Sequence, residues 1–245
     1  MKVDFGFLEV GGSATDHDKV AELVNGAGMS TCAIADALDG LGVPNTVLDS
    51  RLTCRSQGTG MTLGSAFPVS WTPVRKSRRI SDPGPSTWSE VRDFLVPEVT
   101  DGTGRFYVAG AGPLVTEAAL AGGMSTTYLI DLLGFEGMVL GGAVRDRDLV
   151  ERCARPIVAS NFVPTDTQGS YRVESVGKAC LVGHTSVLCG DWVFTDGNGT
   201  VVVPRSMVSQ ALTVAASIEE SESSTLARIR AGERLPNVVD DMGQI

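Results

Sequence analysis

Short apolar runs recur along the chain and predict the strands of a buried sheet. The clearest are 105–109, 138–140 and 156–160, which are short and rich in apolar residues. Two more runs, 192–195 and 200–203, are joined by Asp-Gly-Asn-Gly, the strongest hairpin signal in the sequence. Weaker strand patterns occupy 52–67, 171–175 and 178–182.

Other segments carry patterns typical of helices. Asp16 and Ser30 are suited to cap the first two, because their side-chain oxygens accept hydrogen bonds from first-turn amides. Residues 68–86 are rich in proline and serine, and we interpret them as a surface loop. The predicted helices are 17–25, 30–39, 88–95, 124–133 and 206–231.

The composition narrows the class of protein. The chain has 245 residues, of which 42% are hydrophobic, enough for one large domain or two small ones. Its formal charge of −9 argues against a nucleic-acid partner, and the basic cluster at 75–79 is interpreted as part of a solvated loop. No leader-like segment and no run of about 18 apolar residues occur, so we expect no membrane partner and a cytoplasmic protein. Five cysteines without a C-x-x-C pair predict neither a zinc ribbon nor a disulfide framework.

The first candidate for chemistry is an arginine followed by an aspartate. Arg145 and Asp146 come shortly after the apolar run 138–140, and ligands of open α/β sheets bind where strands end. Arginine offers a planar fork of donors for a carboxylate, and aspartate offers a hard oxygen for Mg²⁺ or Mn²⁺. The alternative is a surface ion pair at the start of a helix.

The second candidate is the Gly122-Gly123 pair, which precedes a predicted helix. First-turn amides of a helix have no helical partner, so this start is suited to bind an anion. The alternative is a tight turn that needs glycine for positive φ angles. Lys178 is interpreted as a solvent-facing strand lysine, and Asp191 as a structural turn residue.

Several motifs together indicate a family. The longest reads G-x-x-G-x-V-x-x-G-x-V-R-D from Gly134 to Asp146. In order and spacing, these motifs make residues 30–232 resemble the family of the regulator of ribonuclease E activity A (RraA), which includes the 4-hydroxy-4-methyl-2-oxoglutarate (HMG) aldolases. The other motifs are 33–37, Gly122-Gly123, 156–159, Gly190-Asp191 and 196–204.

The resemblance implies an α/β fold with a single RraA-like domain. The expected architecture is a layered ββα-type sandwich, similar to swivelling domains. Residues 1–29 would form an N-terminal extension with the first helix, and 30–205 the RraA-like α/β domain. Residues 206–245 would form a C-terminal helix and tail that packs on the domain or on a neighbouring subunit. The resemblance also implies a homo-oligomer, either a trimer or a hexamer made of two trimers.

The aldolase members imply a reaction. They cleave a pyruvate-derived 4-hydroxy-2-oxo acid through a metal-stabilised enolate without a Schiff base, and often decarboxylate oxaloacetate. Asp146 matches the aspartate that binds Mg²⁺ or Mn²⁺, and Arg145 matches the arginine that grips the pyruvyl end of the substrate. Glu222 roughly matches an acidic residue that a neighbouring subunit lends to the site. The substrate carboxylate is expected at the backbone amides around Gly123, Met124, Ser125 and Thr126.

This sequence departs from the family pattern near the expected site. Met124 stands where an acidic residue is common, and Gly141 where an aspartate is usual. The loop at 68–86 has no obvious counterpart. Two alternatives to the aldolase therefore stay open: a non-catalytic protein-binding regulator, and a relative recruited to a specialised pathway for a dehydration, decarboxylation or rearrangement.

Overall fold

A computed structural model of the chain describes residues 14–58, 60–74, 99–167 and 169–242. The strands are β1 Thr53–Cys54, β2 Thr62–Pro73, β3 Arg105–Gly110, β4 Val115–Ala121, β5 Gly137–Leu140, β6 Gly142–Val144, β7 Ile157–Ala159, β8 Tyr171–Val176, β9 Ala179–Val182, β10 Thr185–Leu188, β11 Trp192–Thr195 and β12 Thr200–Val203. The α-helices are α1 Ala14–Ala27, α2 Thr31–Gly40, α3 Gly123–Thr126, α4 Arg147–Val150, α5 Val208–Arg230 and α6 Leu235–Met242. A π-helix, Thr127–Leu132, continues α3, and a 3₁₀ turn, Arg205–Met207, precedes α5.

One large mixed sheet forms the centre of the molecule. Its strand order is β1-β7-β5-β3-β2-β11-β12, and β8 also pairs with β2. The inner pairs from β2 to β7 are parallel, whereas β1, β8, β11 and β12 run antiparallel to their neighbours. Two smaller sheets accompany it: an antiparallel β9–β10 pair and a parallel β4–β6 pair.

Alternate residues of the large sheet enter two separate layers. On β3, Tyr107 packs toward the π-helix, whereas Phe106 packs toward the β9–β10 pair. On β11, Trp192 packs against α1, α2 and α5, whereas Val193 joins the β9–β10 side. Because strand side chains alternate between faces, helices cover one face and a small β layer covers the other. This arrangement confirms the predicted α/β, layered ββα-type fold.

Capping residues fix the helix layer to the sheet. Ser30 caps α2 as predicted, since its hydroxyl accepts a hydrogen bond from the Ala33 amide at 3.1 Å. Asp196, in the turn of the predicted hairpin, accepts hydrogen bonds from the amide and hydroxyl of Thr31 at 2.9 and 2.6 Å. Glu219 of α5 accepts two hydrogen bonds from Ser30 at 2.8 Å. The first turn of α2 therefore connects α5 to the hairpin.

The interpretation of 68–86 as one surface loop is wrong at its beginning. Residues up to Pro73 belong to β2, where Val69 and Trp71 are buried on one face. Pairing with β3 and β8 continues the strand past Pro68 as far as Pro73, its last residue. Residues 75–86 of that loop, which include the basic cluster at 75–79, and the whole of the predicted helix at 88–95 lie outside the described residues. The elements β4, β6, β10 and α6 were not predicted.

Candidate active site

The parallel strands β4 and β6 end side by side and deliver the two candidate motifs to one place. β4 leads into Gly122 and α3, whereas β6 leads into Arg145 and Asp146. Their close pairing needs glycine, because a Cβ on Gly142 would lie 2.4 Å from the carbonyl oxygen of Val115. The predicted strand at 138–140 is β5 of the large sheet. The Arg-Asp pair therefore does not follow it directly, because the chain first steps across to β6.

Asp146 is held in a backbone conformation that most residues avoid. Its φ and ψ angles are 60° and 54°, in the left-handed region where aspartate is among the better-tolerated side chains. Its Oδ2 accepts a hydrogen bond from the Gly123 amide at 2.7 Å. The side chain is 45% exposed. A ligand can thus reach a carboxylate whose orientation is already fixed.

Arg145 packs against the start of α3. Its amide donates to the Ala121 carbonyl at 3.1 Å, and its Nε is 3.8 Å from Oδ2 of Asp146. A Cβ on Gly122 would lie 2.8 Å from Cγ of Arg145 and 2.7 Å from Oδ2 of Asp146. Gly122 has an extended backbone with φ −150°, so space rather than a positive φ explains this glycine. The tight-turn alternative is wrong at this position.

Some of the predicted anion-binding amides are already paired within the chain. The Gly123 amide donates to Asp146, and the Thr126 amide donates to the Gly122 carbonyl at 2.9 Å. The Ser125 hydroxyl accepts from the Gly122 amide at 2.8 Å. The amides of Met124 and Ser125, in the first turn of α3, have no helical carbonyl to pair with. An incoming carboxylate would therefore meet these two amides, beside a Met124 side chain that is 82% exposed.

A third charged residue at the site was missed by sequence reasoning. Oδ2 of Asp166 lies 3.2 Å from Nη1 of Arg145, and the two side chains are 25% and 31% exposed. Asp166 follows β7 in a segment without regular secondary structure. No motif or periodicity marks it, so only the fold shows that it faces Arg145.

The remaining candidates lie elsewhere. Asp191 is buried and accepts hydrogen bonds from the amides of Leu188 and Arg205, which confirms its structural role. Lys178 is exposed in the turn between β8 and β9 rather than within a strand. Glu222 lies on the exposed part of α5, and within the described residues no contact joins it to Arg145 or Asp146. Its role toward a neighbouring subunit stays a prediction.

A metal at this site would have one protein carboxylate available. Across the described ranges, no three His, Cys, Asp or Glu side chains gather as a metal-binding group. Asp146 is nevertheless accessible, and its Oδ1 accepts no hydrogen bond in the part of the chain that is described. One carboxylate with water and ligand oxygens fits Mg²⁺, which keeps much of its hydration shell.

Of the described helices, none is long and apolar enough to cross a membrane.

The chain is similar in sequence to a family model and to curated proteins. The RraA-like model, described as Aldolase/RraA, matches residues 31–202. Protein DlpA of Legionella pneumophila is 24% identical over 231 residues, covering 94% of this chain and 34% of DlpA. A Burkholderia mallei protein named "Putative 4-hydroxy-4-methyl-2-oxoglutarate aldolase" is 30% identical over 103 residues, covering 42% of this chain and 60% of that protein. The chain thus spans less than two thirds of either relative.

A solved structure supports the fold. RraAS2 of Streptomyces coelicolor, an unusual member of the RNase ES inhibitor RraA protein family, superposes with a TM-score of 0.65. It is 23% identical, and the match covers 86% of this chain and 98% of RraAS2. At that identity the likeness concerns the fold alone, whereas the family model covers most of the chain and includes Arg145 and Asp146. The chain therefore belongs to the RraA-like family, which includes both HMG aldolases and ribonuclease inhibitors.

Proposed function

We propose that the protein is a metal-dependent carbon–carbon lyase that cleaves a pyruvate-derived 4-hydroxy-2-oxo acid. The observation that carries this proposal is the meeting of Arg145, Asp146 and the first turn of α3 at the ends of two parallel strands. These groups supply a cation, a fixed carboxylate and unpaired amides, which are the groups that a 2-oxo acid needs for binding. HMG and oxaloacetate are the first compounds to test, because both contain a pyruvyl half.

Arg145 would bind the pyruvyl end of the substrate and stabilise the charge that develops there. Cleavage of the carbon–carbon bond leaves negative charge on the oxygen of the pyruvyl half, and a fixed guanidinium lowers the energy of that charge. Within the described chain, Nη2 of Arg145 has no hydrogen-bond partner, so it is available to the substrate. We expect Arg145→Ala to lower kcat/KM by about 10²-fold or more without unfolding the protein.

The first turn of α3 would hold the substrate carboxylate. The amides of Met124 and Ser125 point from a helix start, where the aligned peptide dipoles also favour an anion. Arg145 lies across the same turn, against Gly122. Contacts from amides on one side and from the guanidinium on the other would fix the orientation of the scissile bond.

Asp146 would hold a Mg²⁺ or Mn²⁺ ion. When bound, such an ion would supply a Lewis acid that withdraws electron density from the 2-oxo group. Met124 brings no second carboxylate, so we expect weak and reversible binding, with the other positions taken by water or substrate. Asp146→Ala should abolish turnover even at high metal concentration.

A screen of 2-oxo acids with and without added metal tests the proposal. We expect turnover that EDTA abolishes and that Mg²⁺ or Mn²⁺ restores. Borohydride added with substrate should trap no adduct, because no lysine is assigned as a nucleophile. Full activity in EDTA, or an adduct at Lys178, would contradict the mechanism. If no oxo acid reacts with either metal, a pull-down for protein partners would test the regulator alternative.

The proposal includes assembly into a trimer or hexamer with sites near subunit contacts. Glu222 is the residue through which a neighbouring subunit would complete the site. Its position on the exposed part of α5 is compatible with such a contact, because no bond holds Glu222 to its own described chain. Light scattering at the assay concentration measures the state directly, and a fully active monomer would remove Glu222 from the site.

A further inference from the structure

The segment that carries Asp166 is attached to both strands of the candidate site. The Ser160 amide donates to the Gly142 carbonyl at 2.8 Å, and the Val163 amide donates to the Val144 carbonyl at 3.0 Å, so the segment first follows β6. It then reaches β4, where the Ala119 amide donates to the Thr165 carbonyl at 2.8 Å. Asp166 comes directly after this last anchor. Its backbone is therefore fixed relative to the strands that deliver Gly122 and Arg145.

A side-chain contact fixes the same segment to α4. The guanidinium of Arg147 lies over the ring of Phe162, with 4.6 Å between its carbon and the ring centroid. Phe162 also forms a bridge with Val144 of β6. The segment from 160 to 167 is thus connected to β4, β6 and α4, which together with α3 surround Arg145 and Asp146.

Asp166 engages the guanidinium of Arg145 at one end only. The contact joins Oδ2 to Nη1 at 3.2 Å, whereas Nε lies 3.8 Å from Oδ2 of Asp146. A guanidinium has five N–H donors. Because Nη2 makes no hydrogen bond within the described chain, both of its donors are available to a ligand. Two carboxylates therefore compete for Arg145, one on each side.

We propose that Asp166 is a positioning residue that orients Arg145 by holding the Nη1 end of its guanidinium. This inference rests on the proposed function, in which Arg145 binds the oxo acid and Asp146 binds the metal. Without Asp166, the flexible arginine side chain would regain rotamer freedom. Its guanidinium would also be drawn closer to Asp146, the nearest remaining carboxylate. Both effects would weaken binding of a planar 2-oxo carboxylate.

Oxalate is a suitable probe, because it is planar and presents the two adjacent oxygens of a pyruvate enolate. Its affinity would be measured by calorimetry at saturating Mg²⁺, and kcat and KM for oxaloacetate would be measured beside it. We expect Asp166→Ala to weaken oxalate binding about tenfold, the effect of releasing one long side chain. Asp166→Glu, which restores the carboxylate, should recover most of the affinity. Asp148→Ala removes an exposed aspartate of α4 and should match wild type.

A double-mutant comparison separates positioning from a structural role. If Asp166 acts through Arg145, then Asp166→Ala should cause no further loss of oxalate affinity in an Arg145→Ala background. A purely structural residue would lower the melting temperature and weaken binding equally in both backgrounds. Wild-type affinity in Asp166→Ala, or an equal loss in both backgrounds, would overturn the role of Asp166 alone. A wild-type protein that neither binds oxalate nor cleaves any oxo acid would overturn the proposed function itself, and this inference with it.

Discussion

Replacing Gly122 with alanine tests whether the site geometry depends on the empty space above that residue. The added methyl group would lie 2.7 Å from Oδ2 of Asp146 and 2.8 Å from Cγ of Arg145, whereas ordinary contact begins at 3.4 Å. The extended backbone of Gly122 accepts alanine without strain, because its φ is −150°. Alanine also keeps the amide that donates to Ser125 and the carbonyl that accepts from Thr126. The perturbation is therefore confined to the two side chains.

The expected magnitude follows from those distances. For Oδ2 of Asp146 to reach ordinary contact with the new methyl group, it would have to move away from the Gly123 amide, to which it is bonded at 2.7 Å. Loss of such a charge-assisted hydrogen bond lowers the free energy of unfolding by about 1.5–3 kcal/mol. A displacement of the guanidinium by about 1 Å is expected to lower the rate about 10²-fold. A 10²-fold loss corresponds to about 2.7 kcal/mol of activation free energy, so the losses of activity and of stability should be similar in size.

The assay compares kcat/KM for the best 2-oxo acid with the melting temperature of the same variant. Gly40→Ala is a matched control, since a Cβ on Gly40 would meet nothing within 4 Å. We expect Gly40→Ala to keep wild-type activity and Gly122→Ala to lose it while remaining folded. Wild-type values of both quantities in Gly122→Ala would refute the steric argument.

Three further predictions concern the metal, the pH dependence and the helix layer. Met124→Asp should tighten Mg²⁺ binding about tenfold in a calorimetric titration, because it adds a second carboxylate. The control is Leu132→Asp, at a position 71% exposed, which should leave the Mg²⁺ affinity unchanged. Burial raises the pKa of Asp196, but hydrogen bonds from Thr31 and Asn198 outweigh burial and lower this pKa below its ordinary value of 3.8. The ionised Asp196 therefore stabilises the fold fully above pH 3.8, and this stabilisation is lost as the pH falls through the lowered pKa. Asp196→Asn should lower the melting temperature at neutral pH, and the difference between variant and wild type should disappear in strong acid. Glu219→Gln should also lower the melting temperature at neutral pH, because two hydrogen bonds to a charged acceptor become weaker.

The sequence predicted the parts of the fold that local patterns determine. The hairpin around 196–199 is set by its turn residues, and Ser30 is recognisable as a cap because its neighbours form a helix. The strand β4 was missed, since Thr116 and Glu117 lie exposed near its start and interrupt the apolar pattern. Burial of Val69 and Trp71 depends on partners far along the chain. Local patterns therefore predict a loop where the proline-rich segment begins, although its first residues belong to β2.

The candidate site shows the same limit of local reasoning. Arg145 and Asp146 were predictable because they are adjacent in sequence and complete a motif. The bond from Gly123 to Asp146 spans 23 positions, and the ion pair from Arg145 to Asp166 spans 21. Neither separation follows a helical or strand period. The parallel pairing of β4 with β6 creates the first contact, and the anchoring of residues 160–167 to those two strands creates the second. The paired glycines stand out in the sequence, but the reason for Gly122, which is the space it leaves for two side chains, depends on the folded chain.

The length of β2 has a consequence for how the chain folds. This one strand pairs with β3, β8 and β11, so its partners lie between residues 105 and 195. Pairings across such long separations close slowly, because most of the loop entropy is lost before the contacts form. During synthesis, the first half of β2 would present an open edge until the hairpin of β11 and β12 has emerged. We therefore expect fragments that end before residue 192 to aggregate, and refolding of the intact chain to be slow relative to that of helical proteins of its size.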